Sequence, residues 1–102
     1  MKITYKGKEL SATITTNSRI MRYKFQKLYY AIIINNCNRY SSIASKQRVD
    51  VVMTDDNYNI LSIKKEMHEN TVYENISAKK TIILPLNFFK ELEKNTKLTI
   101  KK

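Results

Sequence analysis

The sequence predicts a mainly β domain, with α structure confined to one or two short helices, and three stretches carry that prediction. Residues 48–63 read as a β-hairpin. Val49, Val51 and Met53 fall on one face of its first strand and Asp50, Val52 and Thr54 on the other, the period of two that a strand requires. The polar cluster Asp55, Asp56, Asn57, Tyr58 and Asn59 tolerates turn conformations and hydrogen-bonds its own backbone, so the chain reverses there before Ile60, Leu61 and Ile63 resume a strand. Residues 1–16 read as a second hairpin around Gly7, the chain's one glycine, at a turn that needs positive φ. Residues 29–34 are apolar throughout and rich in β-branched and aromatic side chains, as in a central strand buried on both faces.

The remaining elements follow in order. In the returning strand of the first hairpin, Leu10, Ala12 and Ile14 share one side and Ser11, Thr13 and Thr15 the other, so one face is core and one is wet. Asn17 or Ser18 can cap a helix over residues 19–28, where Met21, Phe25 and Leu28 recur at i, i+4 and i+7. Asn35, Asn36, Cys37 and Asn38 end the central strand. Residues 39–47 are polar and without period, hence a loop or irregular edge. Residues 64–77 mix charge with Met67, Val72, Tyr73 and Ile76 and predict a long surface connection. Residues 81–84 form a short strand stopped by Pro85. Residues 87–92 then offer one or two helical turns with Phe88, Phe89 and Leu92 toward the core, and residues 97–100 close the sheet.

The 102 residues make a single domain able to bury about 60 to 65% of its unfolded surface. One cysteine, Cys37, cannot form an internal disulfide, and with the single His68 it cannot furnish a conventional zinc site, so no metal or cofactor is expected. The N-terminal residues lack an apolar core of signal-peptide length and the longest apolar run is far too short to span a bilayer, which predicts a soluble, cytoplasmic protein. Lys and Arg outnumber acids 19 to 9, for a net charge of +10. That favours a polyanion partner. The abundance of Lys, Asn, Ile and Tyr, with 15 Lys against 4 Arg, equally fits the codon bias of an A+T-rich genome, and dedicated phosphate and base-edge readers lean on guanidinium.

The chain resembles a diverged member of the domain-of-unknown-function family numbered 192, nearly end to end. The resemblance rests on residues 31–38 (Ala-Ile-Ile-Ile-Asn-Asn-Cys-Asn), on Val49-Asp50-Val51-Val52 with Asp50 thirteen residues beyond Cys37, on Asp55-Asp56-Asn57 with Ile60-Leu61, and on Asn70-Thr71 and the stretch 81–85. It implies a small pseudo-barrel of mixed β-sheets with short helices, an architecture to which the element pattern also leads. It implies a candidate cleft but no settled chemistry. The pocket sequence departs from the family's: Ser41, Ser42, Ile43, Ala44 and Ser45 stand where His-Thr-Phe-Phe-Met is usual, and Ile83 replaces a customary Glu. Asn87 and Asn95 fall near family glycines, and Asn is the non-glycine residue most able to adopt a left-handed conformation.

Asp50 is the acid that stands out, because an ionised carboxylate among valines needs hydrogen bonds or a cation. Its candidate cleft comprises Ser41, Ser42, Arg48 and Asp50, with bracing of the 39–47 loop as the structural alternative. Catalysis requires a base within hydrogen-bond reach of a nucleophile, and none is evident at Asp50, Cys37 or His68. Asp55-Asp56 superficially suggests a calcium loop but lacks its glycine and terminal bidentate Glu.

The best basic-aromatic cluster, Arg19, Arg22, Tyr23, Lys24 and Lys27, has the composition of a single-strand stacking platform, but a helix that buries Met21, Phe25 and Leu28 and solvates its basic face is the stronger explanation of the same residues. Residues 81–100 also resemble the strand-turn-strand unit of swapped-hairpin transcription regulators, with Asn95-Thr96 at the usual Gly-Asp. These observations predict a non-catalytic binding or accessory protein, or else a nucleic-acid-binding module. The expected partner is an unidentified ligand or protein, with nucleic acid the alternative, and the chain is expected as a monomer or weak dimer.

Overall fold

The computed structural model describes residues 1–20, 27–42 and 47–102. Among these described residues nine strands form: β1 (Lys2–Tyr5), β2 (Lys8–Thr15), β3 (Ala31–Asn35), β4 (Arg39–Ser41), β5 (Val49–Thr54), β6 (Ile60–Met67), β7 (Val72–Glu74), β8 (Lys80–Pro85) and β9 (Thr99–Lys101). Seven make one sheet in the order β6-β5-β8-β3-β2-β1-β9, and β4 pairs with β7. Only β2 and β3 are parallel, so the sheet is mixed.

The sheet curls into a half-barrel until its outer strands meet. Ile60 N–H donates to Thr96 O (2.7 Å), Asn95 N–H to Ile60 O (2.9 Å) and Leu98 N–H to Tyr58 O (3.0 Å), which ties the start of β6 to the chain entering β9. Strand alternation then divides the core in two. Ile3, Leu10, Ile33, Val52, Ile82, Leu84 and Leu98 pack together inside the curl. Ile32, Ile34, Val49, Val51, Met53 and Ile83 face the other way, covered by Tyr40, Leu28 and Ile20. This is why β3, β5 and β8 are apolar on both faces.

Both predicted hairpins are present. Lys6 (φ 49) and Gly7 (φ 81) form the first turn, the pairing of two left-handed residues that joins tightly twisted strands. In β2, Leu10 is buried but Ile14 is 44% exposed, so the inward row does not reach the end of the strand. The second hairpin is longer than expected, because β6 continues to Met67 through two register shifts.

The predicted surface connection 64–77 is instead the end of β6 and β7, and the predicted loop 39–47 contains β4. The two short strands pair with each other, Tyr40 opposite Tyr73. Among the described residues the one helical piece is a 3₁₀ turn, Asn17–Arg19. The helix expected over residues 19–28 lies for its greater part on residues 21–26, outside the described residues. Residues 86–91 form turns and bends, and no helix is present over residues 87–92. Phe89 is nevertheless buried beneath them, because turns position it as well as a helix would. The resemblance of residues 81–100 to a strand-turn-strand unit is not matched by pairing: β8 lies between β3 and β5, whereas β9 pairs with β1.

Candidate functional site

Asp50 is fully buried and lies opposite a β-bulge. Val49 pairs with Met67 and Val51 with Lys64, so Asp50 faces two residues, Lys65 and Glu66. Its carboxylate accepts from Lys65 Nζ (2.8 Å), the Glu66 backbone N–H (2.8 Å) and the Asn87 backbone N–H (2.9 Å). Lys65 Nζ also donates to Phe89 O at 3.2 Å. Glu66 (φ 50) and Asn87 (φ 59) are both left-handed, so this buried acid clamps two strained backbone positions to β5. Among the described residues the brace holds the bulge and the turn after β8.

Ser42 is likewise buried within a local lattice. Its hydroxyl donates to His68 O (2.6 Å) and accepts from the Thr71 N–H (2.9 Å). Ser41 lies on β4, and Arg48 is exposed and paired with Glu66 at 2.8 Å. The Cys37 thiol is buried and donates to Arg39 O at 3.1 Å. His68 is exposed. Asp55 closes the second hairpin by accepting from the Asn57 and Asn59 N–H groups and the Asn59 side chain, and those bonds hold its carboxyl below the usual range. Among the described residues no three His, Cys, Asp or Glu side chains gather as metal ligands.

Of the basic-aromatic cluster, Arg22, Tyr23 and Lys24 lie outside the described residues. Arg19 and Lys27 are exposed. Lys27 Nζ sits 5.7 Å from the ring centroid of Tyr29, which is 72% exposed. Arg19 follows the end of β2 whereas Tyr29 precedes the start of β3, and these strands run parallel, so the two mark opposite ends of the half-barrel.

A cleft that local spacing does not reveal opens at the β1–β2 turn, against residues 88–91, with a volume of about 200 Å³. Phe88 and Phe89 form its aromatic floor, their rings edge to face at 4.9 Å, with Tyr5 edge-on to Phe89 at 5.9 Å. Lys8 Nζ donates to Phe88 O at 2.8 Å and stands 4.4 Å from the Phe88 ring centroid. Lys6 Nζ binds Glu93 at 3.1 Å and Glu91 O at 3.1 Å, and the bond to Glu93 raises its pKa above the ordinary value. Lys90 completes the rim. The Lys-Gly-Lys turn and the Phe-Phe-Lys run are the signals for this site, but they are some 80 positions apart, and only the fold joins them. A wider groove of about 460 Å³ runs between Asp56, Asn57 and Tyr58 and the start of β9, continuing the seam.

No protein-family model and no curated protein matches the chain. Two solved structures share its fold. A protein of unknown function from Novosphingobium aromaticivorans superposes with a TM-score of 0.73 at 8% identity, covering 97% of this chain and 82% of its own. A candidate transcription regulator from Sinorhizobium meliloti superposes with a TM-score of 0.75 at 10% identity, covering 96% and 88%. The chain is therefore similar to known small β proteins over nearly its whole length, and among the described residues no helix is long and apolar enough to cross a membrane.

Proposed function

We propose that this chain is a non-catalytic binding protein that holds its ligand in the cleft at the β1–β2 turn. The observation that supports the reading is a contrast in where polar chemistry is used. The carboxylate of Asp50 is engaged by three donors of the scaffold, while the ammonium of Lys8 is held on Phe88 at the mouth of an open cleft beside the exposed Lys90. A buried, saturated acid stabilises a fold, whereas an anchored cation with unused donors can take a ligand. The resemblance to the domain-of-unknown-function family numbered 192 belongs to the same proposal, with the pocket of this chain moved away from the altered stretch 41–45. Amide chemical-shift mapping with a mixture of small metabolites tests the site. Perturbations are expected at residues 5–8 and 88–91. A response centred on residues 41–50, or turnover abolished by Asp50→Ala, would overturn the reading.

A nucleic-acid-binding module is the second reading, favoured by the exposed Tyr29 ring with Lys27 beside it and by the regulator whose fold this chain shares. It predicts that a labelled single strand binds with a steep salt dependence and that Arg22→Glu and Lys27→Glu weaken binding more than Lys101→Glu. Equal and shallow losses would count against it.

A further inference from the structure

If the cleft at the β1–β2 turn is the binding site proposed above, its charges define the class of ligand it takes. Lys6 is held between Glu93 and the Glu91 carbonyl, and the Glu91 carboxylate also acts on Lys6. Lys8 and Lys90 are then the cations that face the open space. The ammonium of Lys8 is pre-positioned by the Phe88 carbonyl and ring, which leaves N–H donors of its three for a ligand. Lys90 is exposed and makes no ion pair among the described residues.

Lys6, Lys8 and Lys90 set three ammonium groups against the carboxylates of Glu91 and Glu93, so the cleft is net positive, and the N–H donors of Lys8 and Lys90 match an anion with several acceptor oxygens. A phosphate monoester carries about −1.5 to −2 at neutral pH and offers three acceptor oxygens without a planar preference. A carboxylate carries one charge and is best matched by the flat fork of arginine, which the lining lacks. The volume agrees. About 200 Å³ is room for several waters at roughly 30 Å³ each and lies below the roughly 300 Å³ at which pockets for drug-sized ligands begin. The aromatic floor gives the carbon end of such a ligand an apolar contact. We infer that the cleft formed by Lys8, Lys90 and Phe88 binds the phosphoryl group of a small phosphate monoester.

Amide chemical-shift titration of the full chain tests this with four probes: glycerol 3-phosphate, inorganic phosphate, malonate and a short single-stranded oligonucleotide. Saturable shifts at residues 6–8 and 88–91 are expected with glycerol 3-phosphate, weakened at least tenfold in Lys8→Ala and in Lys90→Ala and unchanged in Lys102→Ala. Lys90→Ala carries the test if Lys8→Ala fails to fold, because Lys90 braces nothing described. Affinity should rise between pH 5 and pH 7 as the monoester loses its second proton near pH 6. Malonate binding as tightly as glycerol 3-phosphate would overturn the phosphoryl assignment while leaving the cleft as the site. Shifts outside the cleft, or none, would overturn both. An oligonucleotide preferred through the same two lysines would overturn the small monoester in favour of a nucleic-acid phosphate.

Discussion

Asp50 and Arg48, two residues apart, show how burial decides what a charge contributes. Asp50 has no exposed surface and accepts from two backbone donors, whereas Arg48 and Glu66 are each 53% exposed and pair directly at the surface, at 2.8 Å. Asp50→Ala strands the Glu66 and Asn87 N–H groups and releases the bulge, so it should cost about 3 kcal/mol or more. Arg48→Ala should cost about 0 to 1 kcal/mol. Urea unfolding at neutral pH compares them, and equal losses would remove the structural role assigned to Asp50. Tyr40 offers a second test at this scale. Burial pushes its phenol up from 10.0 to about 12, because the phenolate cannot be solvated between the β4–β7 pair and the sheet. A folded-state pKa above the unfolded one leaves stability intact below pH 10 and removes it as pH rises toward 12. The wild type should therefore lose on the order of 2 kcal/mol more than Tyr40→Phe between those limits. Parallel losses in both proteins would show that this phenol is not the alkaline weak point.

At the scale of elements, the turns depend on left-handed residues that are mostly not glycine. Asn87 (φ 59) and Asn95 (φ 67) flank the segment that covers the end of the half-barrel, and both positions were expected from the sequence to suit such a conformation. Asn87→Gly should be neutral or stabilising by up to about 1 kcal/mol, and Asn87→Ala should cost about 1 kcal/mol, since only the second forces a Cβ penalty without the asparagine's tolerance. Thermal midpoints that fall equally in both would tie the residue's role to its side chain instead. The same segment shows where sequence reading stops. Hairpins β1–β2 and β5–β6 were legible because each pairs neighbours in the chain and alternates cleanly. Strands β4 and β7 were not, since three residues hold no period and their partners, such as Arg39 and Glu74, lie far apart in sequence. Phe88, Phe89 and Leu92 suggested a helix because apolar spacing cannot tell a helical turn from other turns over six residues, and the Asp50 bond to Asn87 that decides it comes from another element. Of the candidate cleft, Asp50's need for partners was legible. The joining of Lys8 to Phe88 was not, because no local pattern encodes a contact across the whole chain.

For the molecule as a whole, the half-barrel is strong at its centre and weak at its seam. The central strands β3, β8 and β5 are paired on both edges and buried on both faces, so opening them exposes the aliphatic core on both sides at once. Across the seam, three backbone hydrogen bonds, two of which make the bridge of Asn59 with Lys97, join the start of β6 to the chain before β9, and the groove beside Tyr58 opens there. Local opening follows contact density, so the seam should separate without unfolding the sheet. Native-state hydrogen exchange makes this measurable: the Ile60, Asn95 and Leu98 amides should exchange through an opening several kcal/mol cheaper than the Ile33, Ile82 and Val52 amides, with little dependence on urea. Leu98→Ala should lower the seam further, because Leu98 is 1% exposed and packs in the inner core right beside the seam hydrogen bonds. If all six amides instead exchange with one free energy and one urea slope, the seam opens only with global unfolding, and the molecule behaves as a closed barrel despite its short closure.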